Sequence, residues 1–241
     1  MDAKKEKLED FKTAISSTVR SLSNSQKIEI LFGNQVEKST KNSIKLPDLD
    51  ANKEGFNYEE IRAIADTKSL RIRFSNKEIF KKYEPEGNIS KKLYNISEKI
   101  RCEKIGTSYF KGVKNNIETF YQERVNGLDL KSSEDKIVES FENYLRTKFL
   151  DFENNSHIDK KLKSYKKDLN EKFKGKISQL NEFTLDQEKF NSLISELIAD
   201  MSLDENLDEE EKKDDEKNND DKQNKPDNQE KHAKEKEDSD N

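Results

Sequence analysis

From Leu8 to Met201 the apolar residues recur mostly at steps of three and four, and beyond Met201 they all but vanish; no other feature limits the fold as much. Leu8, Phe11, Ile15, Val19 and Leu22 draw a stripe along one face of a helix, and that face has to be buried against something. The stretch 27–32 instead alternates as a strand does and ends at Gly33. Ser43-Ile44-Lys45-Leu46-Pro47 offers it a partner, so the spacing predicts a small β-hairpin at about 27–47.

Helical spacing returns at Asn57, where Glu60 three residues on makes a helix-start signature and Ile61, Ile64 and Ala65 follow on one side, to about Phe74. Ser75 with Glu78 predicts the cap of a short helix running to Tyr83, ended by Pro85 and Gly87. Ile89, Leu93, Ile96, Ile100 and Ile105 then mark a longer helix reaching Gly106. Gly112 interrupts a continuing pattern of Tyr109, Val113, Ile117, Phe120 and Tyr121, which leaves two readings: a helix that passes through with a close packing contact, or a break near Gly106. After Gly127 come three more stripes: Ile137 to Phe149; Ile158, Leu162, Tyr165, Leu169 and Phe173, with Asn155 or Ser156 as cap; and Phe190 to Met201. A loop at Gly175 and a turn near Thr184 separate the last two. The fold class expected is mainly α, an irregular helical domain over 1–203 with the small hairpin near its N-terminus. The spacing is too irregular for a solenoid and the stripes too short for one long coiled coil.

Charge divides at the same place as the apolar pattern. Residues 204–241 hold 17 Asp and Glu, 8 Lys and only Leu207 and Ala233 as apolar residues, so they read as a disordered acidic tail or linker. Subtracting them from the chain's 51 acids and 46 bases leaves 34 acids and 38 bases in 1–203, a net of +4 in place of −5. No run approaches the roughly 18 apolar residues of a membrane span, and the N-terminus lacks the apolar region of a signal peptide, so a cytoplasmic protein is expected.

The chemistry-bearing residues are few. Cys102 cannot form an internal disulfide, and with only His157 and His232 it cannot build a Cys/His zinc site; within a helical run it reads as a buried thiol. No phosphate-binding loop, dinucleotide fingerprint, zincin motif, nucleophile elbow or EF-hand loop occurs. Glu98, Arg101 and Glu103, with Lys99 and Lys104, form a cluster in which Glu98 and Arg101 stand three apart and can pair on a helix; composition alone favours a solvated face. Lys68, Arg71 and Arg73 make a basic patch suited to phosphate or an acidic partner, diluted by Asp66 and Glu78. Lys160, Lys161, Lys163, Lys166 and Lys167 lie close together, but interleaved acids and an acidic tail argue against nucleic acid.

Several segments over 11–125, taken in order, resemble the N-terminal region of the CobT subunit of aerobic cobaltochelatase. The most specific is Glu98-x-x-Arg101-x-Glu103-x-Ile105-Gly106 followed by Gly112-Val113-x-x-Asn116, similar to the family's E-x-x-R-x-E-x-I-G and G-V-x-x-N run. Phe32-Gly33 with Lys45-Leu46-Pro47-Asp48-Leu49, Ala65-Asp66 with Leu70-Arg71, and Glu84-Pro85-Glu86-Gly87 resemble family segments as well, and the acidic tail resembles the family's acidic linker. Two departures stand out: family members commonly carry histidines at the positions of Ser75 and Phe80, and no D-x-S-x-S motif of the family's von Willebrand A-type domain occurs, so the chain is expected to be truncated before that domain or to be half of a split gene.

The resemblance implies a subunit of a cobaltochelatase, a ligase forming a nitrogen–metal bond, with no active site of its own in this chain. Its partners would be a AAA+ ATPase subunit and a large chelatase subunit, and the process cobalt insertion into hydrogenobyrinic acid a,c-diamide. It implies no cofactor here; ATP, Mg and cobalt would be handled by partner subunits or the missing domain. Glu98, Arg101, Glu103, Gly106, Gly112, Asn116 and Arg71 then become candidates for an interface or a structural ion network. A homo-oligomer stays open. The alternatives are an adaptor for a MoxR-like AAA+ machine unrelated to corrins, or a lysine-rich nucleic-acid-binding protein.

Overall fold

The computed structural model describes residues 2–33, 43–49 and 57–201. By its contacts the chain divides into Met1–Asp204 and Glu205–Asn241, and every described residue falls in the first unit. The expected acidic tail and the connection between the two strands, residues 34–42, lie outside the described residues.

Helix α1 (Asp2–Leu22) buries the stripe of Leu8, Ile15 and Val19. Its partners are the strands β1 (Glu29–Phe32) and β2 (Ser43–Leu46) and the helix α2 (Tyr58–Phe74): Ile28, Ile44, Leu46, Leu49, Ile61 and Ala65 complete the same cluster, with Phe11, Ile30, Phe32 and Ile64 packed at its margin. The two strands pair where expected, but they run parallel, with Ile30 opposite Ile44 and Phe32 opposite Leu46. The hairpin expectation is thus corrected. Alternation of side chains fixes which face of a strand is buried and is silent on direction. Parallel pairing sets Ile30, Phe32, Ile44 and Leu46 on one face, toward α1 and α2.

Asn57 caps α2, its side-chain oxygen accepting from the backbone N–H groups of Glu59 and Glu60, both at 3.0 Å. The next cap falls on Asn76 instead of Ser75: Asn76 accepts from Glu78 and Ile79 at the start of α3 (Lys77–Lys82). Asn and Ser cap equally well, so residue type does not decide between the two positions; the chain leaves Ser75 one residue earlier in extended backbone.

Helix α4 (Asn88–Tyr109) is the hub, packing against α2, α5 (Lys111–Asn126), α6 (Ser133–Lys148) and α10 (Gln187–Ala199). Accordingly, twelve of its residues are buried, charged ones among them. Both readings of its end hold in part. The helix breaks, but at Phe110, whose backbone is extended; and the close contact belongs to Gly106, where an added Cβ would lie 2.3 Å and 2.5 Å from the two Leu70 methyl carbons. Gly112 faces open space.

Ser132 and Asp135 form a reciprocal capping box at the start of α6. The lysine-rich stripe expected as one helix is two, α7 (Ser156–Lys161) capped by Asn155 and α8 (Lys163–Lys172), joined at Leu162. Leu162 stays buried across the joint, as do Ile158, Leu169 and Phe173. The apolar spacing therefore survives the break and does not reveal it. Between Gly175 and Thr184 lies α9 (Lys176–Glu182), unforeseen because Leu180 is its one buried residue.

Leu70 is fully buried, so Gly106→Ala leaves its methyls nowhere to go, and we expect a loss of about 1–3 kcal/mol in chemical denaturation. Gly112→Ala meets nothing and should be neutral or stabilising by up to about 1 kcal/mol.

A buried ion network as the candidate site

About two turns of α4, from Glu98 to Glu103, carry charges on two of its faces. On one, Glu98 and Arg101 are 0% and 1% exposed. Arg101 donates from Nε and Nη2 to the two Glu98 carboxylate oxygens, each at 2.8 Å, a forked pair that Lys could not reproduce. Its remaining donors reach the carbonyl of Phe74 at 2.6 Å and of Thr184 at 3.0 Å. Arg101 therefore ties α4 to the last residue of α2 and to the turn before α10.

On the other face, Glu103 is wholly buried and accepts from Arg146 at 2.8 Å and from the Thr67 hydroxyl at 2.8 Å. Arg146 also donates to Glu142, one turn earlier on α6, and Lys99 of α4 reaches the same carboxylate at 2.7 Å. Arg124 of α5 closes the set, donating to both oxygens of Glu139 at 3.0 Å and to Glu142 at 3.3 Å. The Tyr121 hydroxyl donates to Glu139 and accepts from Asn143, while the Arg146 guanidinium lies 4.7 Å from the Tyr121 ring centroid. A cavity of about 310 Å³ opens against this set, between α2, α4, α5 and α6.

The two carboxylates sharing Arg124 shift in opposite directions. Burial would raise Glu142, but Lys99, Arg146 and Arg124 together outweigh it and hold the carboxyl far below its usual range. Glu139 is pushed up by burial, which Arg124 only partly offsets, with Glu142 adding to the rise. Asp66 is likewise raised by burial, against the hydrogen bond it accepts from Asn116 at 2.8 Å. Cys102 is fully buried, and burial together with Glu98 drives its thiol well up, away from the reactive thiolate.

The residues singled out from sequence thus fall into separate places. Glu98, Arg101 and Glu103 are interior, where composition favoured a solvated face; Lys99 joins them through Glu142, and Lys104 reaches the Phe149 carbonyl and Asp151. Gly106 packs on Leu70, Asn116 serves Asp66, and Gly112 touches nothing. The basic patch is split. Arg73 donates to the Leu22 carbonyl, whereas Arg71 donates to Asn95 and lies over Phe80, beside Lys68 on a different cavity. Of the two positions at which the resemblance leads one to expect histidine, Phe80 stacks on Tyr94 with ring centroids 4.7 Å apart, and Ser75 meets Gln187. In the lysine cluster, Lys166 pairs with Asp159 at 2.9 Å. Glu139, Glu142, Arg124 and Arg146 went unnoticed; only the four-residue step from Glu142 to Arg146 hinted at them. Among the described residues no group of three or more His, Cys, Asp or Glu is placed to hold a metal ion, and no helix is long and apolar enough to cross a membrane.

Fold and network together define a mainly helical domain, with one strand pair, whose buried charges lock its own helices around a central one. The chain belongs to the CobT family: the family model described as cobalamin biosynthesis protein CobT matches residues 5–241, and the family places it in cobalamin biosynthesis. No solved structure matches the chain significantly.

Two measurements probe the network. Arg101→Met strands the Glu98 carboxylate and two carbonyls and should cost about 3–5 kcal/mol in denaturant melts, with Glu98→Leu added in the double variant restoring much of it. Glu142, with its pKa depressed below the ordinary 4.5, contributes stability that is fully present above pH 4.5 and lost as pH falls toward the folded value. Glu142→Gln should accordingly be less stable at pH 7 and lose less stability than the unaltered chain between pH 5 and pH 3.

Proposed function

We propose that the chain is a non-catalytic subunit of an ATP-dependent cobaltochelatase, assisting a AAA+ ring in the insertion of cobalt into hydrogenobyrinic acid a,c-diamide. The observation that carries this reading is the family match over nearly the whole chain. The interior agrees with it. Ionisable groups that a catalytic site would present to substrate are here turned on one another: Arg101 on Glu98, Arg146 on Glu103 and Glu142, Arg124 on Glu139. The buried Cys102 thiol offers no nucleophile. Chemistry on the corrin ring belongs, in this reading, to the large subunit, and ATP, Mg and cobalt to the partners.

A helical domain stiffened by buried ion pairs suits an adaptor, which has to transmit force or position between partners without yielding. The acidic residues 204–241 act as a linker, and the setting is cytoplasmic.

The test is copurification of the full chain with the AAA+ ATPase subunit from the same organism, in the presence of ATP, ADP and a non-hydrolysable analogue. Stable association in at least one nucleotide state, and cobalt insertion that requires the chain, are expected. Absence of association in all three states overturns the proposal.

A further inference from the structure

Not all the cations of the domain are answered by carboxylates. Between the strand pair and helices α2 and α3 lies a cavity of about 540 Å³, within the range of small-molecule pockets. Lys45, Lys68, Arg71 and Lys77 line it, and none of the described residues that line it is Asp or Glu. The partners that two of these cations do have are neutral: Lys68 donates to the Lys45 carbonyl at 2.5 Å, and Arg71 donates to the Asn95 side chain while its guanidinium lies 5.1 Å from the Phe80 ring centroid. Burial lowers the Lys68 pKa, and the like charge of Lys45 lowers it further. Beside these charges the wall is apolar. Phe80 lines it, and so does Ile72, which is 43% exposed where most isoleucines of the domain are buried.

We infer that this cavity binds a small organic polyanion, a molecule carrying two or more phosphate or carboxylate groups on an apolar body. Several cations lining one cavity, with no carboxylate among the described lining residues, call for more than one negative group, since an anion between Lys45 and Lys68 offsets the repulsion between them. The apolar wall of Ile72 and Phe80 calls for a body that a bare inorganic ion lacks. A concave site of this volume fits a compact molecule better than an extended acidic peptide, which would need an open groove. The inference stands apart from the cobaltochelatase reading, because its outcome does not depend on whether the chain binds an ATPase ring.

The test is calorimetric titration of the full chain with benzene-1,2,4,5-tetracarboxylate, and in parallel with inorganic pyrophosphate and a polyglutamate peptide. Saturable binding of the tetracarboxylate is expected, tighter than that of either other probe and weakened by added salt. Lys68→Met and Lys77→Met should each weaken it roughly tenfold or more, as the loss of a charge-assisted contact does. Lys111→Met, which removes the same charge from an exposed position off the cavity, should leave it unchanged. Circular dichroism identical across the variants keeps the comparison valid, and Lys77, on the short α3, provides a variant that disturbs no buried contact. Lack of saturable binding, an equal loss in Lys111→Met, or polyglutamate binding as tight as the tetracarboxylate's overturns the inference.

Discussion

The arrangement of the helices turns on a single guanidinium. Arg101 sits in the middle of α4 with essentially no exposure, and an isolated charge there would be intolerable. It is tolerated because Glu98, three residues back, neutralises it through two parallel hydrogen bonds, and because the two remaining bonds go to backbone carbonyls that would otherwise be short of donors. One of those carbonyls, Phe74, is the last residue of α2, where the helix leaves its final C=O groups unpaired and where a positive charge is favoured. The other, Thr184, precedes α10. The Phe190 ring of α10 lies 5.9 Å from the same guanidinium. One side chain thereby sets the distance from the hub helix to an element more than twenty residues before it and to another some eighty residues after it. Hydrophobic contact alone would permit these helices to slide; four directed hydrogen bonds do not.

The second charged set works through sharing. Glu142 receives Lys99 from α4, Arg124 from α5 and Arg146 from its own helix, so three helices meet on one carboxylate. Such a convergence explains why burial raises Glu139 and yet fails to raise Glu142: the first has one principal cation, the second has three. Gly106 belongs to the same design. Only a residue without a side chain lets α4 come close enough to α2 for Leu70 to lie against its backbone while Thr67, one turn earlier on α2, reaches Glu103.

Much of this was legible before the structure. The stripes of α1, α2, α4, α6 and α10 follow from apolar spacing, because burying one face is what holds a helix in a domain, and Asn57 announced its cap through chemistry local to the chain. What was illegible is non-local. The direction of β2 relative to β1 depends on the path between them, the joint at Leu162 conserves the apolar period, and α9 buries too little to show a pattern. The spacing of Glu98 and Arg101 was visible, but whether a charged pair faces water or the core is decided by what packs over it, here Phe74, Thr184 and Phe190. The family resemblance pointed at Glu98, Arg101, Glu103 and Gly106 without saying what they touch. Arg124, Glu139 and Arg146 carried no such mark.

Placing these charges in two groups separates what folding requires from what it leaves over. In a chain with 40% charged residues, most cations lie on solvated faces and need no explanation. Those taken out of water have to be matched, and in the network each is: the ion pairs of Arg101, Arg124 and Arg146 all fall between 2.8 and 3.3 Å. The cavity beside β2 departs from that rule. Lys68 is partly withdrawn from water next to Lys45, with its hydrogen bond made to a carbonyl and, among the described residues, no carboxylate lining the cavity it shares with Lys45. Where the buried guanidiniums of Arg101 and Arg146 are each answered by an acid, this grouping sets like charges beside an apolar wall. The repulsion between Lys45 and Lys68 is the cost that a bound polyanion would offset, and it sets this cavity apart from the internally neutralised network.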